Sequence, residues 1–238
     1  MITIRNLTKA YGQRTVVDSL SLEVKKGEVF GFLGQNGAGK TTTIKMLVGL
    51  SRPTAGEVLI DGQAVSDPRV RSRIGFMPEA PYFFERLTGL EFLNFCGALC
   101  GLSPGANRAR YEEILNKVGI LGAKDRPIKN YSKGMKQRLG FAQALVNDPD
   151  YVFLDEPLDG LDPLGRREIK KIVHALKAAG KTVFFNSHIL FDTEELCDRV
   201  GIIHDGKLLY QGPVTGFGQG RTLEERFVSL VEAARHPA

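Results

Sequence analysis

Two stretches of this chain have the residue types and spacing to handle a nucleoside triphosphate. Gly34-Gln-Asn-Gly-Ala-Gly-Lys-Thr-Thr42 fits the pattern G-x-x-x-x-G-K-[ST] and follows the apolar run Val29-Phe-Gly-Phe-Leu33. Gly34, Gly37 and Gly39 let the backbone N–H groups of the loop, including those of Asn36 and Ala38, close around phosphate oxygens, and a helix starting near Lys40 adds the positive end of its dipole. Lys40 then reaches the β- and γ-phosphates, and Thr41, followed by Thr42, offers a hydroxyl to Mg²⁺. The second stretch, Tyr151-Val-Phe-Leu-Asp-Glu156, sets two carboxylates at the carboxyl end of an apolar strand, where open α/β sheets bind ligands. Asp155 is suited to hold Mg²⁺, and Glu156 to polarise an attacking water as general base. Either stretch alone could be an ordinary turn; together they predict a phosphate-loop enzyme.

Positioning these groups requires a β-rich first part and a strand–helix–strand part. Ile2-Thr-Ile4 and Leu20-Ser-Leu-Glu-Val24 alternate, and Val58-Leu-Ile60 runs into the turn signal Asp61-Gly62, so antiparallel strands are expected to flank the phosphate-loop strand. From Thr88 the period becomes helical, with Thr88-Gly-Leu-Glu91 as a capping box and Leu93, Cys96 and Cys100 on one face. A further helix starts at Ser132 and stops before Asn147-Asp-Pro149. After the acidic strand, a helix opens at Asp162-Pro163 and closes at Gly180, and Thr182-Val-Phe-Phe185 is the next strand, an order that implies a parallel sheet. A hairpin at Asp205-Gly206 and an amphipathic helix carrying Leu223, Phe227, Leu230 and Val231 complete the chain. The predicted fold is a single α/β domain over residues 1–238: a phosphate-loop core of about 1–85 and 149–215 with a parallel sheet and an antiparallel β subdomain, a helical subdomain of about 86–148, and a terminal helix of about 219–234.

Composition narrows the function classes. The 238 residues are 42% apolar and 25% charged, an ordinary globular balance, and the net charge of +5 is scattered with no basic run to track a nucleic acid. No apolar run approaches the roughly 20 residues needed to cross a bilayer, and Met-Ile-Thr-Ile-Arg5 lacks the order of a signal peptide, which predicts a cytoplasmic protein. Cys96, Cys100 and Cys197 suggest neither a disulfide framework nor a zinc site; the first two are expected to be small buried side chains.

Tyr131-Ser-Lys-Gly-Met-Lys-Gln-Arg138, Asp159-Gly-Leu-Asp162 and Asn186-Ser-His188, placed around the two phosphate-handling stretches, resemble the ATPase subunits of ATP-binding cassette transporters over nearly the whole chain. The resemblance implies that Ser132 and Gly134 belong to a signature loop, Asp162 to the loop joining two nucleotide sites, and His188 to a γ-phosphate switch. Tyr11, in Ala10-Tyr-Gly12, matches the aromatic that stacks on adenine. It also implies that the signature loop acts on ATP held by a second ATPase subunit, so that two copies form a dimer around two ATP molecules. That dimer would drive a membrane-spanning permease subunit from the cytoplasmic face of the cell membrane. Residue chemistry gives part of this independently: Ser132 can cap its helix and, with the following N–H groups, hold an anion. Gly134 inside a helix costs about 1 kcal/mol relative to alanine, which points to close approach by something.

Two positions depart from the family pattern. In Ile74-Gly-Phe-Met-Pro-Glu79 the chain has Glu79 where relatives usually carry Gln, which implies a catalytic or metal-ligating carboxylate; without the metal it repels a triphosphate, so nucleotide engagement is expected to lean more on Mg²⁺. In the signature loop, Lys133 replaces a glycine and Met135 a glutamine; the lysine faces either phosphate or solvent. Both, with Leu223-Glu-Glu-Arg-Phe-Val228, resemble the exporter subgroup that has separate membrane subunits. Pro81-Tyr-Phe-Phe84 is either a partner site or part of the helical core. Rival readings are weaker. Soluble relatives acting in translation or DNA repair carry two cassettes or a long coiled coil, and this chain has one cassette and no sustained heptads. For a GTPase or kinase, Asp162-Pro-Leu-Gly165 supplies D-x-x-G but Asn116-Lys-Val-Gly119 lacks the acid that reads guanine. The presence of Glu156 and His188 argues against a regulator without turnover.

Overall fold

A computed structural model describes residues 1–103, 105–215 and 222–235. In chain order the elements are β1 (Ile2–Tyr11), β2 (Arg14–Val24), β3 (Val29–Leu33), α1 (Lys40–Leu47), β4 (Ala55–Ile60), β5 (Gln63–Ala64), α2 (Pro68–Arg71) and β6 (Ile74–Met77). Then come α3 (Gly89–Leu99), α4 (Arg108–Lys117), α5 (Lys133–Ala144), β7 (Tyr151–Asp155), α6 (Pro163–Ala178), β8 (Thr182–Ser187), α7 (Leu190–Leu196), β9 (Arg199–His204), β10 (Lys207–Pro213) and α8 (Leu223–Arg235). The predicted residues 219–221 of the terminal helix lie outside the described residues.

Two sheets form. β2-β1-β4-β5 is antiparallel; β10-β9-β3-β8-β7-β6 is parallel except for its β10 edge. The expectation that antiparallel strands flank the phosphate-loop strand is corrected here: β3 lies between β8 and β9 and is parallel to both. Alternation along β1 and β2 marks them as half-buried strands correctly, yet it carries no information about the partner. β3 is buried on both faces, and strands some 150 residues later fill its flanks. The hairpins at Asp61-Gly62 and Asp205-Gly206 are as expected, each with both central residues at positive φ.

The face of β3 carrying Phe30 and Phe32 packs with Phe184 and Phe153 in an aromatic stack, with ring centroids 5.5 to 5.8 Å apart, between the two sheets. The other face carries Gly31, where a Cβ would lie 2.6 Å from Thr193 Cγ2 and 2.8 Å from Cys197 Sγ, so α7 crosses directly against the strand. On the far side of the sheet, α3, α4 and α5 share a core built on Leu93, Tyr111, Leu115, Leu139 and Phe141. The capping box at Thr88 and Glu91 forms in both directions. Cys96 packs against this core, whereas Cys100 is exposed, correcting its expected burial: the helix ends at that residue, and the apolar face no longer continues. No helix among the described residues is long and apolar enough to cross a membrane.

Candidate functional site

The phosphate loop bridges β3 and α1, and its glycines are there for different reasons. Gly37 and Gly39 hold φ of 83° and 108°, a region that side chains rarely adopt. A Cβ on Gly34 would lie 2.6 Å from the Ile203 carbonyl oxygen, so the loop is seated on β9. α1 begins without a side-chain cap, so its first N–H groups point into the loop. Ala38 is buried, and its carbonyl accepts from the Gly206 N–H. Lys40 is only 6% exposed; its ammonium donates to the carbonyl oxygens of Gly34 at 2.8 Å and Gln35 at 3.4 Å.

β7 delivers the two carboxylates from two strands away, and β8, lying between, helps hold them. Asp155, 1% exposed, accepts from Asn186 Nδ2 at 2.8 Å and from Thr41 Oγ1 at 3.4 Å. Among the described residues it has no ion pair, and a buried carboxylate without a cation is electrostatically incomplete. Thr41 and Asp155 offer adjacent hard oxygens, the donor set of Mg²⁺, which takes one or two carboxylates and completes its shell with phosphate and water. No cluster of three His, Cys, Asp or Glu side chains suited to a metal occurs among the described residues.

Glu156 sits at φ of 51°, a conformation held by its N–H donating to the Asn186 carbonyl at 3.3 Å and its carbonyl accepting from Gln137 Nε2 at 3.3 Å. One carboxylate oxygen is 2.9 Å from His188 Nδ1 and the other 3.5 Å from the Lys40 ammonium. Burial raises its pKa above the ordinary glutamate value, and the attractions of Lys40 and then His188 only partly oppose it.

Asn36, Gly37, Gly39, Lys40, Thr41, Thr42, Glu79, Glu156 and His188 line one cleft of about 600 Å³, with Asp155 buried next to Thr41 rather than on the lining. Glu79 is exposed at the cleft wall. Ser132, Gly134 and Asp162 are elsewhere: they line a second concavity of about 420 Å³ together with Arg138 and Gly160. There Ser132 caps α5 by accepting from the Met135 N–H at 3.2 Å, and Asp162 caps α6 by accepting from the Gly165 N–H at 2.7 Å. Tyr11 is not among the residues lining the cleft; it is 55% exposed, with the Lys9 ammonium 4.9 Å from its ring centroid. Residues given no role in the site from sequence also line it or shape it. Arg14 and Val16, at the start of β2, line the cleft, as does Asp159. Asn186, noticed only as a neighbour of His188, is the buried amide that fixes Asp155. The start of β2, Arg14-Thr-Val-Val17, does not alternate, so the sequence carried no signal for the first pair.

A glycine loop between strand and helix, a buried lysine at its end and an acidic strand terminus facing it define the class as a phosphate-loop nucleoside triphosphatase. Residues 17–159 match the ABC transporter family, and the chain belongs to it. It is 50% identical over 194 residues to an uncharacterized ABC transporter ATP-binding protein of Nostoc, a match covering 81% of this chain but only 58% of that protein. It is 37% identical over 227 residues to a lantibiotic transport ATP-binding protein of Streptococcus pyogenes, covering 95% and 96% of the two chains. Among solved structures, the ATP-binding subunit of an ABC transporter superposes with a TM-score of 0.88 at 31% identity, covering 97% of this chain and 99% of that one. A dimeric ATP-binding cassette in a post-hydrolysis state with ADP and Pi superposes at 0.84 with 27% identity, covering 91% and 100%.

Proposed function

We propose that this chain is the ATP-hydrolysing subunit of an ABC exporter. It would work as a dimer at the cytoplasmic face of the membrane, with residues of about 86–148 acting as a helical subdomain toward a membrane-spanning permease. The observation that carries the reading is the arrangement of Glu156 between Lys40 and His188 at the end of the phosphate-loop cleft. Glu156 takes a proton from water as the water oxygen attacks the γ-phosphorus, the bond from that phosphorus to the bridging oxygen breaks, and ADP leaves. Burial keeps the carboxylate basic enough for this task. His188 orients the carboxylate and meets the γ-phosphate, while Lys40 leaves the loop carbonyls for the β- and γ-oxygens. Thr41 and Asp155 would hold Mg²⁺, which supplies charge neutralisation at those oxygens. Ser132 and Gly134 would address the nucleotide of the second subunit, Asp162 holding the turn beside them, and Tyr11 would offer the free face of its ring to adenine.

Tyr82, 97% exposed, and Phe84, 58% exposed, support a permease contact, while Phe83 meets Phe92 edge-to-face at 5.1 Å between ring centroids and packs against the core. The name of the Streptococcus relative, a transport protein for a lantibiotic, supports a transport role.

ATP hydrolysis by wild type and Glu156→Gln tests the reading. The variant is expected to lose roughly 10²- to 10⁴-fold in rate while still binding ATP, and undiminished turnover would remove Glu156 from the role of base. The same assay titrated with Mg²⁺ tests Glu79: Glu79→Gln is expected to need less Mg²⁺ for half-maximal rate, and an unchanged requirement refutes its part in metal dependence.

A further inference from the structure

The terminal helix reaches the phosphate loop from 200 positions away. Arg235, in the last turn of α8, donates from its guanidinium to Gln35 Oε1 at 3.0 Å. Gln35 is the first variable residue of the loop, and its own carbonyl accepts both from the Ala38 N–H at 3.1 Å and from the Lys40 ammonium at 3.4 Å. One residue therefore joins the helix tip to the resting place of the lysine. A cation at a helix C-terminus is also favoured by the helix dipole, so Arg235 is held where it stands by more than this one bond.

Along the rest of its length α8 packs on elements that adjoin the site. α8 buries Leu223 and Val231 and packs Phe227 and Leu230 against the common core, touching β9, β10 and α7. α7 begins two residues after His188, and β9 is the strand on which Gly34 is seated. Thus α8 links the loop that takes phosphate to α7, the helix that follows the histidine, while none of its described residues lines the cleft.

We propose that Arg235 is a positioning residue for the phosphate loop and that α8 is a brace fixing Gln35 and Lys40 relative to His188, so that phosphate taken by the loop is felt along α8. This rests on the nucleotide reading above. Steady-state ATP hydrolysis and hydrogen exchange on the full chain test it, using Arg235→Ala, Arg235→Lys, Gln35→Ala and the Arg235→Ala/Gln35→Ala double variant. Arg235→Ala is expected to raise KM for ATP about three- to tenfold with kcat within about twofold, the scale of one lost hydrogen bond. Gln35→Ala should match it, the double variant should be no worse than either, and Arg235→Lys should recover part of the loss. In wild type, added ADP should slow amide exchange across residues 223–235, and Arg235→Ala should abolish that response. Wild-type KM in Arg235→Ala, additive losses in the double variant, or α8 exchange indifferent to ADP in wild type each overturn the proposal while leaving the nucleotide reading intact. Failure of wild type to bind ATP removes both.

Discussion

At the scale of single residues, the decisive quantity is the proton affinity of Glu156. Burial raises its pKa above 4.5, and Lys40 and His188 pull in the opposite direction. A raised value means that the folded chain holds the proton more tightly than the unfolded chain does. Its contribution to stability is therefore full below the unfolded pKa and is lost as pH rises through the folded one. The base role proposed for Glu156 needs the ionised form that burial disfavours. The rate at subsaturating ATP should consequently fall as pH drops, with an inflection above that of an ordinary glutamate. Removing His188 removes one of the influences that hold the value down, so in His188→Ala the acid inflection of the residual rate should move to higher pH. A pH–rate profile of the two proteins checks this; coincident inflections would mean that His188 does not act on the Glu156 carboxylate.

At the scale of elements, the joint between the helical layer and the sheet is a glycine. A Cβ on Gly75 of β6 would run into the carbonyl oxygen of Ala144, the last residue of α5, and would also lie 2.8 Å from Pro149 Cγ. A backbone carbonyl cannot rotate aside, so Gly75→Ala is expected to lower stability by about 1–3 kcal/mol, read as a reduced denaturation midpoint. An unchanged midpoint would mean that α5 slides on β6 at little cost. Nothing in the sequence announces this contact, and the contrast shows what was legible. The capping box at Thr88 and Glu91 and the cap at Asp162-Pro163 are satisfied by atoms within a few residues, and the phosphate loop and the two Asp-Gly hairpins declare themselves by the glycines their local backbone conformation requires, so residue order alone reveals all of them. The neighbours of β3, the placing of Arg14 in the cleft, the bond from Asn186 to Asp155 and the bond from Arg235 to Gln35 join residues far apart in the chain. Periodicity states which face is buried but not against what. Glu156 and His188 were readable as residues, and only the fold brought them to 2.9 Å.

At the scale of the whole molecule, one chain holds two concavities that do not share residues: the cleft of Lys40 and Glu156, and the hollow of Ser132, Gly134 and Asp162. Gly134 is the informative member. As a helix residue it costs about 1 kcal/mol relative to alanine, yet among the described residues only Leu161, at 3.7 Å, comes near the position of a Cβ, which is ordinary contact. Packing among the described residues does not call for a glycine there, which is what the proposed approach of a second copy would require. In a Glu156→Gln background, which slows hydrolysis, ATP should convert the chain from monomer to dimer, as measured by light scattering. Adding Ser132→Arg should block that conversion by filling the hollow, while ATP affinity of the monomer stays within about twofold, since the Lys40 cleft is untouched. A dimer that forms with the same ATP midpoint in the Ser132→Arg protein would place the subunit contact elsewhere and leave Gly134 without its reason.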